Sequence, residues 1–472
     1  MQRDDLLSQI RQLGGIEAKW LLPKTPDQPI RGRLYFADEN LELEVEHGFQ
    51  DIRLSANQWS LPVREVVGLL RDGTRCSLSE LHVVSAESGR IVYTIQLALL
   101  GVTTDHPDQL KIRRLRLLLP IAADWAGLCC YETQLMGQDI VVRCSRPKTV
   151  SLGMADGVKL GIFARVAWEQ VFLPSQAPTL KVSAHIRLST AKQQALKTMQ
   201  RYVPTIVAFF SLATLSPIRL DCLYCESDAA KLALPTNGSH RRKYYYQPIV
   251  VWYRGLSTNP SVAGLRDDEM FLTYSDLRRA GQTDVLSKIL ARHDEFDQLL
   301  PLMVPESGQF HTYTWPRFLN ATQALETFDR MAGNNNDLDP SLFAATKKEI
   351  LEHVRNPEPG WLEGLLKYAN EPHLRARLKR AVEQNRSILH ITHNSEKGFI
   401  NDVINTRNYL VHHDKGLREK AVLDVRLFGM TDRLEALVRL SFLRCVGFSE
   451  ENLIDLLQRT ERQYIRDLSA LF

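Results

Sequence analysis

The chain has 472 residues, 44% of them hydrophobic and 24% charged, and a formal net charge of +4. That length exceeds one compact core and predicts two domains or three, while the composition excludes fibrous, low-complexity and disordered classes. So slight a positive excess permits nucleic-acid binding without arguing for it, because affinity needs clustered cations rather than a global surplus.

The opening stretch MQRDDLLSQIRQLGG is charged and lacks the apolar run of an export signal. Seven cysteines, an odd number without framework spacing, point to reduced thiols in a cytoplasm. Period-two alternation in LELEVEH (Leu41–His47) predicts a strand with one wet face. Asp72-Gly73 in VVGLLRDGTRCSL and Asp156-Gly157 in GMADGVKLGIFARVAW predict tight hairpins. QLKIRRLRLLL, DIVVRCS and TLKVSAHIRL read as further strands, a helix is expected from Thr190 to about Leu215, and strands return in PIRLDCLY and YYYQPIVVWY. The most apolar run, VPTIVAFFSLATL (Val203–Leu215), has 13 residues. A bilayer helix needs about 20, so the run is read as core.

After about Leu256 the period moves from two towards 3.6, and YSDLRRAGQTDVLSKILARHDEFDQLLPLM is mostly helical. From Trp315 onward the expected helices are Trp315–Met331, Pro340–Val354, Pro372–Leu389, Glu396–His412, Thr431–Val446 and Glu450–Leu468. Breakers such as AGNNND, RNPEPG and DKG separate several of them. The fold class is therefore α+β, without internal repeats. A β-rich domain is expected over residues 1–300, with helical segments at about 190–215 and 262–300, and an all-α bundle over 312–472.

No Walker loop, dinucleotide-binding glycine pattern, HExxH or GxSxG is present. The CxxC formed by Cys222 and Cys225 lacks the second ligand pair of a structural zinc site and reads as packing thiols. Cys129 and Cys130 read as core. HRRKYYYQ (His240–Gln247) has the composition of an RNA contact, but the strand preference of tyrosine favours a basic loop entering a strand. His390 and His393 in HITH are neighbours on a helix face with only Glu396 in reach, and are not read as ligands. No metal or other cofactor is expected.

NTRNYLVHHD (Asn405–Asp414) carries more. Arg407 and His412 form the only Arg-x4-His in the chain. Asn408 and His412, four apart, share a helix face. Arg407 and His412 stand roughly 140° apart on an ideal helix, so the guanidinium must swing across, or the two act on a surface shared with a second subunit. An imidazole that titrates near neutrality suits proton transfer from a ribose 2′-OH. A guanidinium suits the charge of a five-coordinate phosphate, and Asn408 can orient either. Together they suit RNA cleavage without a metal. The plainer reading is a helix end whose cations cap carbonyls and complement the dipole, and His413 and Lys415 fit that as well as they fit RNA binding.

Arg-Asn-x-x-x-His on the later helices of a small α-bundle resembles the HEPN ribonuclease motif, and PRFLNATQALETFDR resembles the first HEPN helix. AKWLLPKTPDQPIRGRLYFADENLELEVEHGF resembles the opening of the ApeA N-terminal domain, where a Trp-x-x-Pro element leads into a glycine-containing strand. The combination resembles ApeA-type anti-phage proteins over most of the chain. It implies a bacterial, cytoplasmic defence protein whose N-terminal part senses infection or restrains the nuclease. Its HEPN part would cleave host or phage RNA, a transfer-RNA loop being one substrate that fits, and so cause abortive infection. The catalytic residues carried over are Arg407, Asn408 and His412, with His413 and Lys415 available to bind RNA. A homodimer or higher homo-oligomer through the HEPN domain, a phage-derived trigger and no membrane partner are further implications. The alternative is a non-catalytic HEPN module that dimerises or docks a partner in a defence or toxin–antitoxin system. A transcriptional regulator is disfavoured, for want of a recognition helix with a dense basic face.

Overall fold

The computed structural model describes residues 6–23, 25–49, 63–137, 139–169, 179–220, 222–233, 244–255, 270–304, 314–333, 335–354, 360–389 and 393–459. The chain divides into two compact units. One comprises Met1–Thr214, Ile218–Ser275 and Leu286–Ala291; the other comprises Leu215–Pro217, Asp276–Val285 and Arg292–Phe472.

The first unit is β-rich. Helix α1 (Leu6–Gln12) precedes β1 (Ile16–Leu22), β2 (Thr25–Ala37), β3 (Asn40–Glu46), β4 (Val63–Leu70), β5 (Arg75–Glu87), β6 (Arg90–Thr94) and β7 (Leu97–Leu100). Strands β1–β2–β3–β6–β5–β4 pair in that order, all antiparallel, and β4 pairs back to β1. Those strands therefore close into a barrel, which removes the exposed edges of an open sheet. β3 buries Leu41, Leu43 and Val45 and turns the residues between them outward, as its alternation predicts.

Trp20 on β1 fills the barrel, fully buried. It fits because Gly68 stands directly opposite it on β4 and Gly32 lies nearby on β2. A methyl group at Gly68 would collide with the indole ring, and one at Gly32 with Val45 and the β3 backbone.

β5 pairs with β4 and β7 through its first half and with β6 through its second. β7 thereby carries the sheet beyond the barrel. The remaining elements are β8 (Lys111–Leu118), α2 (Ile121–Trp125), β9 (Tyr131–Met136), β10 (Asp139–Cys144), β11 (Lys148–Ala155), β12 (Val158–Glu169), β13 (Thr179–Ala195), α3 (Leu196–Gln200), α4 (Val203–Thr214), β14 (Cys222–Glu226), β15 (Lys231–Ala233), β16 (Tyr244–Tyr246) and β17 (Ile249–Tyr253). The extension runs β7–β17–β14–β8–β13–β12–β11, and β9–β10 and β15–β16 form separate ribbons.

Both Asp-Gly hairpins form as expected. Asp72 accepts hydrogen bonds from the Thr74 amide (2.8 Å) and hydroxyl (2.9 Å). Asp156 (φ 49°) and Gly157 (φ 76°) both adopt the left-handed conformation that a type I′ turn demands.

The helix expected from Thr190 begins only at Leu196. Strand β13 runs on to Ala195 because Gln194 and Ala195 pair with Ile112 and Lys111 of β8, and ladder pairing outweighs the local preference of AKQQAL for helix. The run from Val203 is core, as expected: α4 buries Phe209 and Phe210 against Trp125 of α2, whose indole N–H donates to the Leu272 carbonyl (2.6 Å). Of the described residues of PIRLDCLY, those from Cys222 are strand and residues 217–220 are not. The expected helical segment at 262–300 is described from residue 270; it forms α5 (Tyr274–Arg279), α6 (Val285–Ala291) and α7 (His293–Met303), of which α5 from Asp276 onward and all of α7 belong to the second unit.

From α7 onward the described residues contain no strand. α8 (Thr314–Met331), α9 (Pro340–His353), α10 (Trp361–Leu366), α11 (Leu374–Leu389), α12 (His393–His412), α13 (Arg426–Cys445) and α14 (Glu450–Arg459) follow. α10 was not expected, and α13 starts at Arg426 rather than Thr431, its entry held by Asp424, which accepts from the Arg426 amide (3.0 Å). Residues 460–468 of the last expected helix lie outside the described residues.

α8 is the hub, packing on α7, α11, α12 and α13. Phe318, Ala321, Ala324, Leu325 and Phe328 form its buried stripe at helical spacing. Buried Asp329 at its end accepts from Arg377 (2.9 Å) and from Arg380 (2.8 Å) of α11, while Arg317 donates to Glu435 of α13 (3.0 Å). The protein is thus a β-rich N-terminal region followed by an all-helical C-terminal one, as its periodicities predict.

Candidate functional site

Helix α12 buries Phe399, Ile400, Val403 and Thr406, a stripe of helical period. Two polar ties to α11 fix its position: Arg386 pairs with the buried Glu396, and Arg375 donates to Asn401 (2.8 Å). Thr406, completely buried, accepts a hydrogen bond from the Val422 amide (2.9 Å), so the chain beyond the helix folds back on it. Sequence reasoning passed over Thr406, although a threonine completing an apolar stripe beside a polar run marks such an anchor.

By helical periodicity Asn408 and His412 fall on the side away from that stripe. His412 is exposed and is the last residue of α12; Arg407 and Asn408 are half-buried. The Arg407 side chain does swing across. Its Nη1 lies 3.4 Å from His412 Nε2 and donates to Asn408 Oδ1 at 3.3 Å. All three side chains therefore meet at one guanidinium nitrogen.

His413 is placed differently. Its backbone is left-handed (φ 51°), its amide donates to the Tyr409 carbonyl (2.8 Å), and its ring stands edge-on to Tyr409 with centroids 6.4 Å apart. The two adjacent imidazoles consequently have different neighbours. Lys415 is exposed in the short 3-10 turn Lys415–Leu417, whose entry Asp414 caps by accepting from the Gly416 amide (2.9 Å).

The cluster sits at the C-terminal end of α12, where the helix dipole is negative. A phosphate would find no help from the backbone there, unlike at a helix N-terminus. Arg407, with Lys415 nearby in the chain, would have to supply the positive charge. Chemically, the arrangement offers a charged fork of donors, an amide and an accessible imidazole.

The other singled-out residues separate from this cluster. Cys222 and Cys225 are both buried on β14, where an odd separation turns them to opposite faces, and burial pushes the Cys225 thiol well above its usual range. Cys130 is buried, but Cys129 is exposed, contrary to expectation: the pair lies in a loop before β9, and Cys129 Sγ reaches the Tyr131 carbonyl (2.8 Å). Tyr244–Tyr246 form β16 as expected, with Lys231 over the Tyr244 ring (3.9 Å); residues 240–243 lie outside the described residues. So do residues 390–392 of HITH, while His393 opens α12. Among the described residues no group of three or more His, Cys, Asp or Glu could hold a metal ion, and no helix is long and apolar enough to cross a membrane.

Comparison with family models gives two matches. The one described as ApeA N-terminal domain 1 matches residues 16–283, and the one described as Apea-like HEPN matches residues 319–452, a span that includes Arg407, Asn408 and His412. Neither the curated proteins nor the solved structures gave a match.

Proposed function

This chain belongs to the ApeA family of anti-phage, HEPN-containing proteins, and on that premise we propose that it is an endoribonuclease whose site is Arg407, Asn408 and His412. The observation that carries the reading is the convergence of His412 Nε2 and Asn408 Oδ1 on Arg407 Nη1, on the outward side of α12 within the HEPN-matching span. In this reaction the ribose 2′-oxygen attacks the adjacent phosphorus, the bond to the 5′-oxygen breaks, and a 2′,3′-cyclic phosphate and a 5′-hydroxyl result. His412 moves the proton, taking it from the 2′-OH or returning it to the departing oxygen. Arg407 stabilises the charge that gathers on the phosphate, and Asn408 orients the guanidinium it contacts. Because the guanidinium supplies the charge stabilisation, the chemistry is metal-independent. DNA, without a 2′-OH, is not a substrate.

His413 and Lys415 extend the same edge and would contact the RNA on either side of the scissile phosphate. A second copy of the chain, pairing through the HEPN domain, would bring two such motifs to one cleft. The biological outcome is growth arrest after phage infection, released by a phage-derived trigger through the N-terminal region, with a transfer-RNA loop as a fitting substrate because an unpaired loop can adopt in-line geometry.

The test is incubation of wild-type and His412→Ala protein with total bacterial RNA in EDTA, with and without extract of infected cells, followed by mapping of fragment ends. Cleavage by the wild type alone, leaving cyclic or 3′-phosphate ends, is expected. Equal cleavage by both proteins would refute the site. No cleavage by either, together with loss of a dimer on native mass measurement of His412→Ala, would mean a non-catalytic dimerisation module.

A further inference from the structure

A second cluster of cations lies in the β-rich unit, on one face of four neighbouring strands. Register places Arg187 of β13 beside Arg116 of β8, and Arg116 beside Tyr224 of β14. One step along the same face, Phe163 of β12 stands beside His185 of β13; one further, Arg165 stands beside Ser183. The opposite face of these strands is core, carrying Ile162, Ile186, Leu117 and Leu223, all fully buried. The side chains of the polar face, with Leu118 and Pro248, line a cavity of about 290 Å³, close to the lower end of the roughly 300–1,000 Å³ of small-molecule sites.

Glu226 is almost fully buried and answers Arg116 and Arg114 together, accepting from Arg114 Nη1 at 3.0 Å. That pairing fixes the Arg116 side chain. Arg187 is half-buried and, among the described residues, ion-paired to no carboxylate; its guanidinium lies over the Phe163 ring, 5.8 Å from the centroid. A partly buried charge without a counterion is unfavourable unless something supplies one.

We propose that this face binds a small phosphorylated ligand of nucleotide size, its phosphates held by Arg187, Arg116 and Arg165 and its organic part against Phe163 and Tyr224. Guanidinium groups match phosphate oxygens with paired donors, and Ser183 and His185 add polar groups at the same wall. The potential at the site agrees: burial, then the charges of Arg116, Arg187 and Arg165, push His185 down to about 3, so its ring is neutral and adds no further repulsion. Burial and Arg114 likewise depress Arg187. An anion would relieve the repulsion among these cations, though not the burial.

The experiment is calorimetric titration of the full chain with ATP, GTP, pyrophosphate, inorganic phosphate and a single-stranded RNA oligonucleotide, repeated with Arg187→Gln and Arg165→Gln. Saturable binding of at least one nucleotide is expected, weakened about tenfold or more in Arg187→Gln, since one charge-assisted hydrogen bond is worth about a decade of affinity. If Arg187→Gln does not fold, the exposed Arg165→Gln carries the comparison. Absence of nucleotide binding to the wild type, or affinity unchanged in both arginine variants, overturns the proposal. So does binding confined to a single-stranded RNA oligonucleotide, which would make the face an RNA track.

Discussion

Arg407 and His412 are roughly 140° apart on an ideal helix, yet their nitrogens lie 3.4 Å apart because the long arginine side chain lies along the last turn of α12. Neither residue holds the fold. His412 is exposed, and the Arg407 contacts are to Asn408 and His412. Arg407→Ala and His412→Ala should therefore melt within a few degrees of wild type while RNA cleavage falls at least about 100-fold. Wild-type cleavage rates from both would contradict the assignment. His413 offers a contrast within one residue, since its ring sits against Tyr409. His413→Ala should stay within about tenfold of wild type, the worth of one substrate contact; a loss as large as that of His412→Ala would reverse the two roles.

At the scale of elements, α12 is aimed by what surrounds it. Buried Asp329 joins α8 to α11 by accepting from Arg377 and Arg380, and α11 in turn holds α12 through Arg386–Glu396. Asp329→Ala leaves the almost fully buried Arg377 without its counter-charge and should cost about 3–5 kcal/mol, read as a lower urea midpoint for the helical signal. An unchanged midpoint would show that the pair is dispensable. The barrel makes a corresponding demand at Trp20, where Gly68→Ala forces a methyl group onto the indole. Overpacking of that kind should cost about 1–3 kcal/mol, whereas Gly73→Ala, with open space around it, pays only for its left-handed backbone. Equal destabilisation by the two would refute the packing argument.

For the whole molecule, His185 makes one contribution to the loss of stability in acid. Its pKa is about 3 in the folded chain against 6.5 for the free side chain. Above pH 6.5 the ring is neutral in both states and contributes nothing to the pH dependence. As pH falls from 6.5 towards 3 the unfolded chain takes up the proton and the folded chain does not, so stability is lost across that window. Thermal melting of His185→Gln should show a shallower decline over that range than the wild type, by the sign of the shift. A parallel decline would mean that His185 is protonated while folded.

Local sequence by itself determined the change from a β-rich first part to an all-helical last part, both Asp-Gly hairpins, the core character of the Val203 run and the position of the Arg407–Asn408–His412 motif near the end of a helix. Side-chain periodicity and turn chemistry are properties of neighbouring residues and survive in any context. Tertiary structure decided the rest. β13 stays extended through Ala195 because β8 pairs with it, whatever its local preference. The barrel closes because β4 returns to β1 and because β5 divides its two halves among three partners. Alternate cations in KIRRLR and HIR were visible in the chain, but that Arg116, Arg187 and Arg165 share one cavity depends on strand neighbours 18 residues apart (Arg165 and Ser183) and 71 apart (Arg116 and Arg187), and on a register that places all three on the same face. Pairing of that range is decided by the summed burial of the whole sheet, which no short window of sequence contains.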